Sequence, residues 1–82
     1  MEIGKIYFFQ THKFDWVGRL ASIDGPYSVT LTEASWVADC GRLHLFVRDG
    51  RADNMEIEPV GVVGLQWSNW IPWPHPLFTE AV

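Results

Sequence analysis

The amino-acid sequence predicts a mostly β protein: a small, partly open β-barrel or β-roll of about five strands, SH3-like in size, with one short helix or helical turn. The length of 82 residues allows one domain. Side chains of residues 14–23 alternate between two faces, which is the period-two pattern of a strand. Asp24-Gly25 follows directly and is a strong hairpin signal.

The first half of the chain reads as a three-stranded meander. Residues 3–10 are short, aromatic and β-favouring, and residues 14–23 form the second strand. After the Asp24-Gly25 turn, Tyr27, Val29 and Leu31 alternate with hydroxyl side chains and predict the third strand.

The middle of the chain admits two interpretations. Leu43, Phe46 and Val47 fall on one face of a helical turn that Asp39 would cap and Asp49-Gly50 would end. Residues 43–47 can also be read as a β-run, and we favour the helix. Residues 55–63 predict one or two short strands, in which Pro59 belongs at an edge or a bend.

The end of the chain differs from the rest. Residues 67–78 carry three tryptophans and three prolines, and the alternating prolines exclude a helix and favour an extended segment. We therefore divide the chain into a β domain, residues 1–66, and an aromatic, proline-rich C-terminal segment, residues 67–82, that packs on the domain or on a neighbour.

The aromatic residues supply much of the predicted core. Trp16 and Trp36 lie in alternating runs and are assigned to it. The predicted core consists of Ile6, Phe8, Trp16, Leu20, Val29, Leu31, Trp36, Phe46, Ile57 and Val62.

The charge of the chain limits its partners. Ten acidic and six dispersed basic residues give a formal net charge of −4, which argues against nucleic acid and against anionic membrane surfaces. No apolar run approaches the ~20 residues of a membrane span, and the first residues lack a signal-peptide pattern. The expected compartment is a reducing cytoplasm.

The candidate chemical groups are sparse. Cys40 and His44 share a helical face, but a zinc site would need His12 and His75 as further ligands, at a spacing of no standard kind. Glu56 and Glu58 read as a solvated strand face rather than as an acid–base pair. We predict no catalytic residue, no metal, no cofactor and no small-molecule substrate.

Trp67, Trp70 and Trp73 are spaced by three residues, which fits neither a strand nor a full helical stripe. They could close the core, stack on a sugar ring, stack on single-stranded bases, or fill pockets on a protein partner, as tryptophan often does. The candidate partner-binding residues are Trp67, Trp70, Trp73, His75, Leu77 and Phe78.

Two blocks of sequence carry a resemblance. Residues 34–39, Ala-Ser-Trp-Val-Ala-Asp, and residues 72–77, Pro-Trp-Pro-His-Pro-Leu, together resemble a small family of uncharacterised proteins encoded in tailed-phage and prophage genomes. The resemblance covers most of the chain and implies a phage context. That family has no assigned catalytic motif, so no active-site residue is carried over.

Two classes of function follow from that context. The first is a non-enzymatic virion protein, a capsid decoration (cement) or head–tail accessory protein. It would be assembled in the host cytoplasm and would bind shell or tail subunits, or copies of itself, through the C-terminal segment. The second is a small protein of the host cytoplasm that binds and modulates a host protein, which the acidic balance also fits.

Overall fold

The computed structural model describes all 82 residues, which form one five-stranded antiparallel sheet and one helix. The sheet order is β4-β3-β2-β1-β5, and β4 and β5 are not paired with each other. The sheet is therefore not closed, and the predicted fold class, a partly open and mostly β roll with one short helix, is confirmed. The elements are β1 (Ile6–Gln10), β2 (Asp15–Gly25), β3 (Ser28–Ala38), α1 (Leu43–Asp49), β4 (Glu56–Gln66) and β5 (Asn69–Pro72).

Strands β1, β2 and β3 form the predicted meander, but the second turn lies two residues later than expected. Asp24 and Gly25 belong to β2, and Pro26 and Tyr27 are the turn residues. Proline suits the first central position of a turn because its φ is already fixed near the required value. Asp24 instead supports the hairpin from the side, since its carboxylate accepts hydrogen bonds from Ser22 and Thr30.

Two bulges shift the alternation of β3 and β4. Glu33 has a φ of 52° and Gly61 a φ of 85°, and the register between β3 and β4 changes between Leu31 and Ala34. An extra residue in a strand turns the following side chains to the other face. Val62 lies beside this bulge and is 70% exposed, so the prediction that it belongs to the core is wrong.

Both faces of the sheet carry a hydrophobic cluster, because residues 6–9 of β1 are consecutive apolar or aromatic residues that point alternately to the two faces. We call the first the strand cluster: its buried residues are Tyr7, Phe9, Leu20, Val29, Leu31 and Ala34. We call the second the helix cluster: its buried residues are Phe8, Val17, Val37, Phe46, Ile57 and Trp73.

The predicted core is otherwise largely correct. Six of its members are buried: Phe8, Leu20, Val29, Leu31, Phe46 and Ile57. Ile6, Trp16 and Trp36 are half-buried; Ile6 packs against the helix cluster and Trp16 against the strand cluster, whereas Trp36 belongs to neither.

Helix α1 confirms the helical interpretation of the middle segment. Its buried Phe46 belongs to the helix cluster, and Gly50 (φ 73°) ends the helix as expected by donating its N–H to the carbonyl of Phe46 at 2.7 Å. The predicted N-cap is wrong: the capping position is Arg42, without a side-chain bond, while Asp39 lies outside the helix with a φ of 55°. No helix of the chain is long and apolar enough to cross a membrane.

Candidate functional site

The six predicted partner-binding side chains all contact the domain of their own chain. None is fully exposed; five are half-buried and Trp73 is buried. Residues 69–72 are a strand of the sheet, and residues 73–82, which we call the C-terminal strap, run over the helix cluster.

Trp67 and Trp70 pack against the strand cluster. Trp70 lies directly opposite Phe9 in the β1–β5 pairing, and its ring meets that of Tyr7 edge-on, with centroids 5.4 Å apart. The Trp67 ring meets Tyr27 in the same manner at 5.2 Å, and its buried indole N–H has no hydrogen-bond partner. Contacts with neighbouring side chains therefore hold these two rings against the strand cluster.

Trp73 is the centre of the helix cluster. Only 5% of its surface is exposed, and its ring centroid lies 5.1 Å from that of Phe46 and 5.7 Å from that of Phe78. The backbone turns after Trp73, whose indole N–H donates to the carbonyl of Pro76 at 3.3 Å. This ring joins strand β1, helix α1 and the strap into one packed unit.

His75 fastens the strap to the end of α1. Its Nε2 lies 2.7 Å from the carbonyl oxygen of Val47, in the last turn of the helix, where carbonyl groups lack partners within the helix. Because a carbonyl only accepts hydrogen bonds, Nε2 carries the proton and donates. The ring also packs against Trp73 and over Gly50, where an added Cβ would lie 2.7 Å from the imidazole Cγ.

The strap ends on the edge of the sheet. Val82 and Ile57 exchange two backbone hydrogen bonds, of 3.0 and 3.1 Å, on the open side of β4. Leu77 and Phe78 cover the helix cluster on the way. In the isolated chain these side chains thus close the core, and a partner could reach the buried Trp73 only if the strap left the domain. The assignment of the six residues to partner binding stays a prediction.

The residues considered for metal or nucleophilic chemistry lie apart. No group of three or more histidine, cysteine, aspartate or glutamate side chains is placed to hold a metal ion. Cys40 is half-buried, and burial, aided by the charges of Asp15 and Asp39, raises the pKa of its thiol to about 11. The thiol is therefore protonated, and weakly nucleophilic, at neutral pH.

The largest recess, of about 590 Å³, lies beside the N-terminal residues and is lined in part by Lys5, Tyr7, Arg19 and Trp70. The guanidinium of Arg19 in this recess already makes hydrogen bonds within the chain: it donates to Glu33 at 2.7 Å and to the carbonyl of Gly4 at 2.8 Å. This arrangement stabilises the start of the chain, and it leaves Lys5 as the only lining side chain with an uncommitted positive charge.

A smaller recess, which we call the aromatic recess, opens at the end of the sheet near the β1–β2 turn. It has a volume of about 320 Å³ and is lined by Phe14, Trp16, Trp36, Glu58 and Val60. Trp16 and Trp36 are direct partners across β2 and β3, and Glu58 is the partner of Trp36 on β4. The strand register thus brings two indoles and a carboxylate together in one row.

Sequence reasoning missed this recess because it assigned both indoles to the core. The sequence pattern that could have indicated the recess is the alternation that places Phe14 and Trp16 on one face, because the end of a strand seldom buries two large rings completely. Phe14 remains 47% exposed and meets Trp36 edge-on at 5.9 Å.

Comparison of the chain with protein-family models, with curated proteins and with solved structures found no match. The resemblance to phage and prophage proteins therefore stays a prediction that rests on the two sequence blocks.

Proposed function

We propose that this protein is a non-enzymatic structural component of a phage particle, a capsid decoration or head–tail accessory protein that binds neighbouring subunits. The phage context rests on the resemblance of residues 34–39 and 72–77, and the observation that carries the binding of neighbouring subunits is the apolar surface left on edge strand β4. Val60 is 45% exposed and Val62 is 70% exposed on this strand, whose Ile57 pairs with Val82 at the end of the strap.

An edge strand offers backbone groups to any neighbouring chain. Proteins usually protect such edges with charge, proline, bulges or covering segments. Strand β4 has Pro59, the bulge at Gly61 and the contact with Val82, yet its middle still exposes two valines. Apolar side chains at an incompletely covered edge favour a protein neighbour, added either as a strand or as a packed surface.

The strap lies next to that edge and extends the contact surface. In the proposed assembly, the last residues of the strap and the valines of β4 meet the adjoining subunit together. Each such contact is small, but many copies on a symmetric shell bind together through avidity.

The direct test is quantitative mass spectrometry of phage particles purified on a density gradient from the strain that encodes this chain. A copy number near that of the major shell protein indicates a decoration protein, and a few copies per particle indicate a head–tail accessory protein. Absence from particles, with presence in the infected-cell lysate, would overturn the proposal in favour of the protein that modulates a host protein.

A matched pair of variants locates the contact. Val62→Lys places a charge on the exposed face of β4 and is expected to lower the particle copy number. Ile23→Lys, at a side chain 52% exposed near the tip of the β2–β3 hairpin, is the control and is expected to leave it unchanged. Equal loss with both variants, or with neither, would contradict a contact at β4.

A further inference from the structure

We propose that the aromatic recess is a binding site for a basic side chain, lysine or arginine, of a partner protein. The identity of the partner as a particle subunit rests on the proposed function, whereas the cation site itself rests on the geometry described below.

The aromatic side chains that line the recess can bind a cation. Phe14, Trp16 and Trp36 present three ring systems to one small space. Aromatic faces carry negative quadrupole density and attract ammonium or guanidinium groups that approach to within about 6 Å of the ring centre, and tryptophan attracts them most strongly. Phe14 packs edge-on against Trp36 at an interplanar angle of 71°, so the two rings that line the recess have different orientations.

Glu58 supplies the complementary charge. It lies beside Trp36 on edge strand β4, is exposed, and is the only ionisable side chain among the five that line the recess. No lysine or arginine of the chain lines the recess, so its carboxylate is not neutralised within it. A carboxylate beside rings favours a cationic ligand over a neutral apolar one.

The surroundings carry the same sign. Glu56 is opposite Ala38 and lies two residues before Glu58 on β4, so it is on the same face of the sheet as the recess and at the same end. Lys13, in the β1–β2 turn, is the nearest base in sequence to the lining residues, and it lines an adjoining recess that shares Phe14 and Trp16. This local acidic excess adds to the formal net charge of −4 and attracts a basic partner.

The size of the recess restricts the ligand. At about 320 Å³ it is at the lower limit of the roughly 300–1,000 Å³ that small-molecule sites occupy. It lies at the end of the sheet beside the exposed Val60 of β4, where a protein partner has direct access. A single long side chain that projects from a partner surface fits these limits.

The test uses the folded protein and small analogues of the two side chains. In two-dimensional ¹H–¹⁵N NMR, n-butylammonium and n-propylguanidinium are titrated separately against 1-butanol as the neutral control. We expect the indole N–H signals of Trp16 and Trp36 to shift saturably with at least one cation, and those of Trp67 and Trp70 to stay in place.

Two charge variants and one ring variant sharpen the result. Glu58→Gln is expected to weaken cation binding about two- to fivefold, as loss of one exposed ion pair does. The matched comparison is Glu56→Gln, two residues away on β4 and outside the recess, which is expected to weaken binding less than Glu58→Gln does. Trp36→Leu keeps an apolar side chain, removes a ring, and is expected to weaken binding by about two- to fivefold or more.

Each outcome of these titrations either supports the cation site or contradicts it. Saturable cation binding that Glu58→Gln weakens more than Glu56→Gln does supports the site. Equal shifts of the Trp16 and Trp36 indole N–H signals with 1-butanol would show that the recess binds apolar groups regardless of charge, and would overturn the inference. The absence of a saturable shift with either cation would overturn it as well. These titrations need no particle, so their failure leaves the particle proposal standing, and absence of the protein from particles leaves the cation site standing.

Discussion

The strand cluster and the helix cluster have the same number of buried residues, but they are closed by different means. Residues of hydrogen-bonded strands build the strand cluster, and two tryptophans complete it: Trp67, directly after β4, and Trp70, within β5. The helix cluster is closed by α1 and by the strap, which has only three backbone hydrogen bonds to the rest of the chain. Side-chain packing, rather than backbone pairing, therefore holds the second face of the domain together.

This difference predicts where the molecule opens first. Segments with few backbone bonds and many exposed residues open at lower free energy than the strands of a central sheet. The strap is such a segment, and its release would uncover Phe46 and Ile57 as well as the edge of β4. The residues that fasten it should accordingly show the largest mutational effects outside the central strands.

Loss of the Trp73 ring is expected to have the largest effect. Trp73→Ala should lower the free energy of unfolding by about 3–5 kcal/mol, because a buried ring between Phe8 and Phe46 is replaced by a cavity. In a domain of this size that loss removes most of the stability. Urea unfolding followed by circular dichroism measures it, with Trp70→Ala, at a half-buried ring, as the control of smaller effect. Equal effects would contradict the central place of Trp73.

The glycine at the end of α1 is expected to come next. In Gly50→Ala the new Cβ would lie 2.7 Å from the His75 ring, on a residue whose φ of 73° is already unfavourable for alanine. We expect a loss of about 2–4 kcal/mol from backbone strain together with displacement of the imidazole. Gly41→Ala has a similar φ of 69° and no atom within 4 Å, so it measures the strain alone. Thermal unfolding that gives equal losses would disprove the steric role of His75.

A matched substitution probes the strand cluster. In Gly18→Ala the Cβ would approach those of Leu31 and Ala34 at 3.1 Å, and two paired strands would have to separate slightly. Overpacking of this kind costs about 1–3 kcal/mol. Gly64→Ala, where nothing lies within 4 Å, is the control for a strand glycine. If the two variants unfold at the same urea concentration, β2 and β3 are packed less tightly than the structure shows.

The smallest effect is expected at the end of the strap. Val82→Pro removes the N–H that Val82 donates to Ile57 and should cost about 0.5–1.5 kcal/mol. Val82→Ala keeps that N–H and is the control. Hydrogen exchange should also become faster at the amide of Ile57, which bonds to the carbonyl of Val82. Unchanged exchange in the proline variant would mean that the strap does not protect β4.

The sequence predicted the parts of the fold that follow regular periods. Alternation in residues 14–23 identified β2, and the spacing of Leu43, Phe46 and Val47 identified α1 against the competing β interpretation. Gly50 was recognised as the end of that helix because glycine readily adopts the left-handed conformation required there.

The remaining errors have local causes. The bulge at Glu33 interrupts the alternation, so the second half of β3 was not recognised as strand, and the bulge at Gly61 exposes Val62. Strand β5 was missed because Pro72 argues against a strand, although an edge strand tolerates a proline. The aromatic recess was missed because it depends on the register between three strands, of which the alternation of Phe14 and Trp16 indicates only one wall.

The most direct test of this account is isotope-edited NOE spectroscopy of the isolated chain in solution. The account predicts strong NOEs between the ring protons of Trp73 and those of Phe46 and Phe78, together with contacts from Val82 to Ile57. Their absence, with random-coil shifts for residues 73–82 in a domain that remains folded, would contradict closure of the helix cluster by the strap.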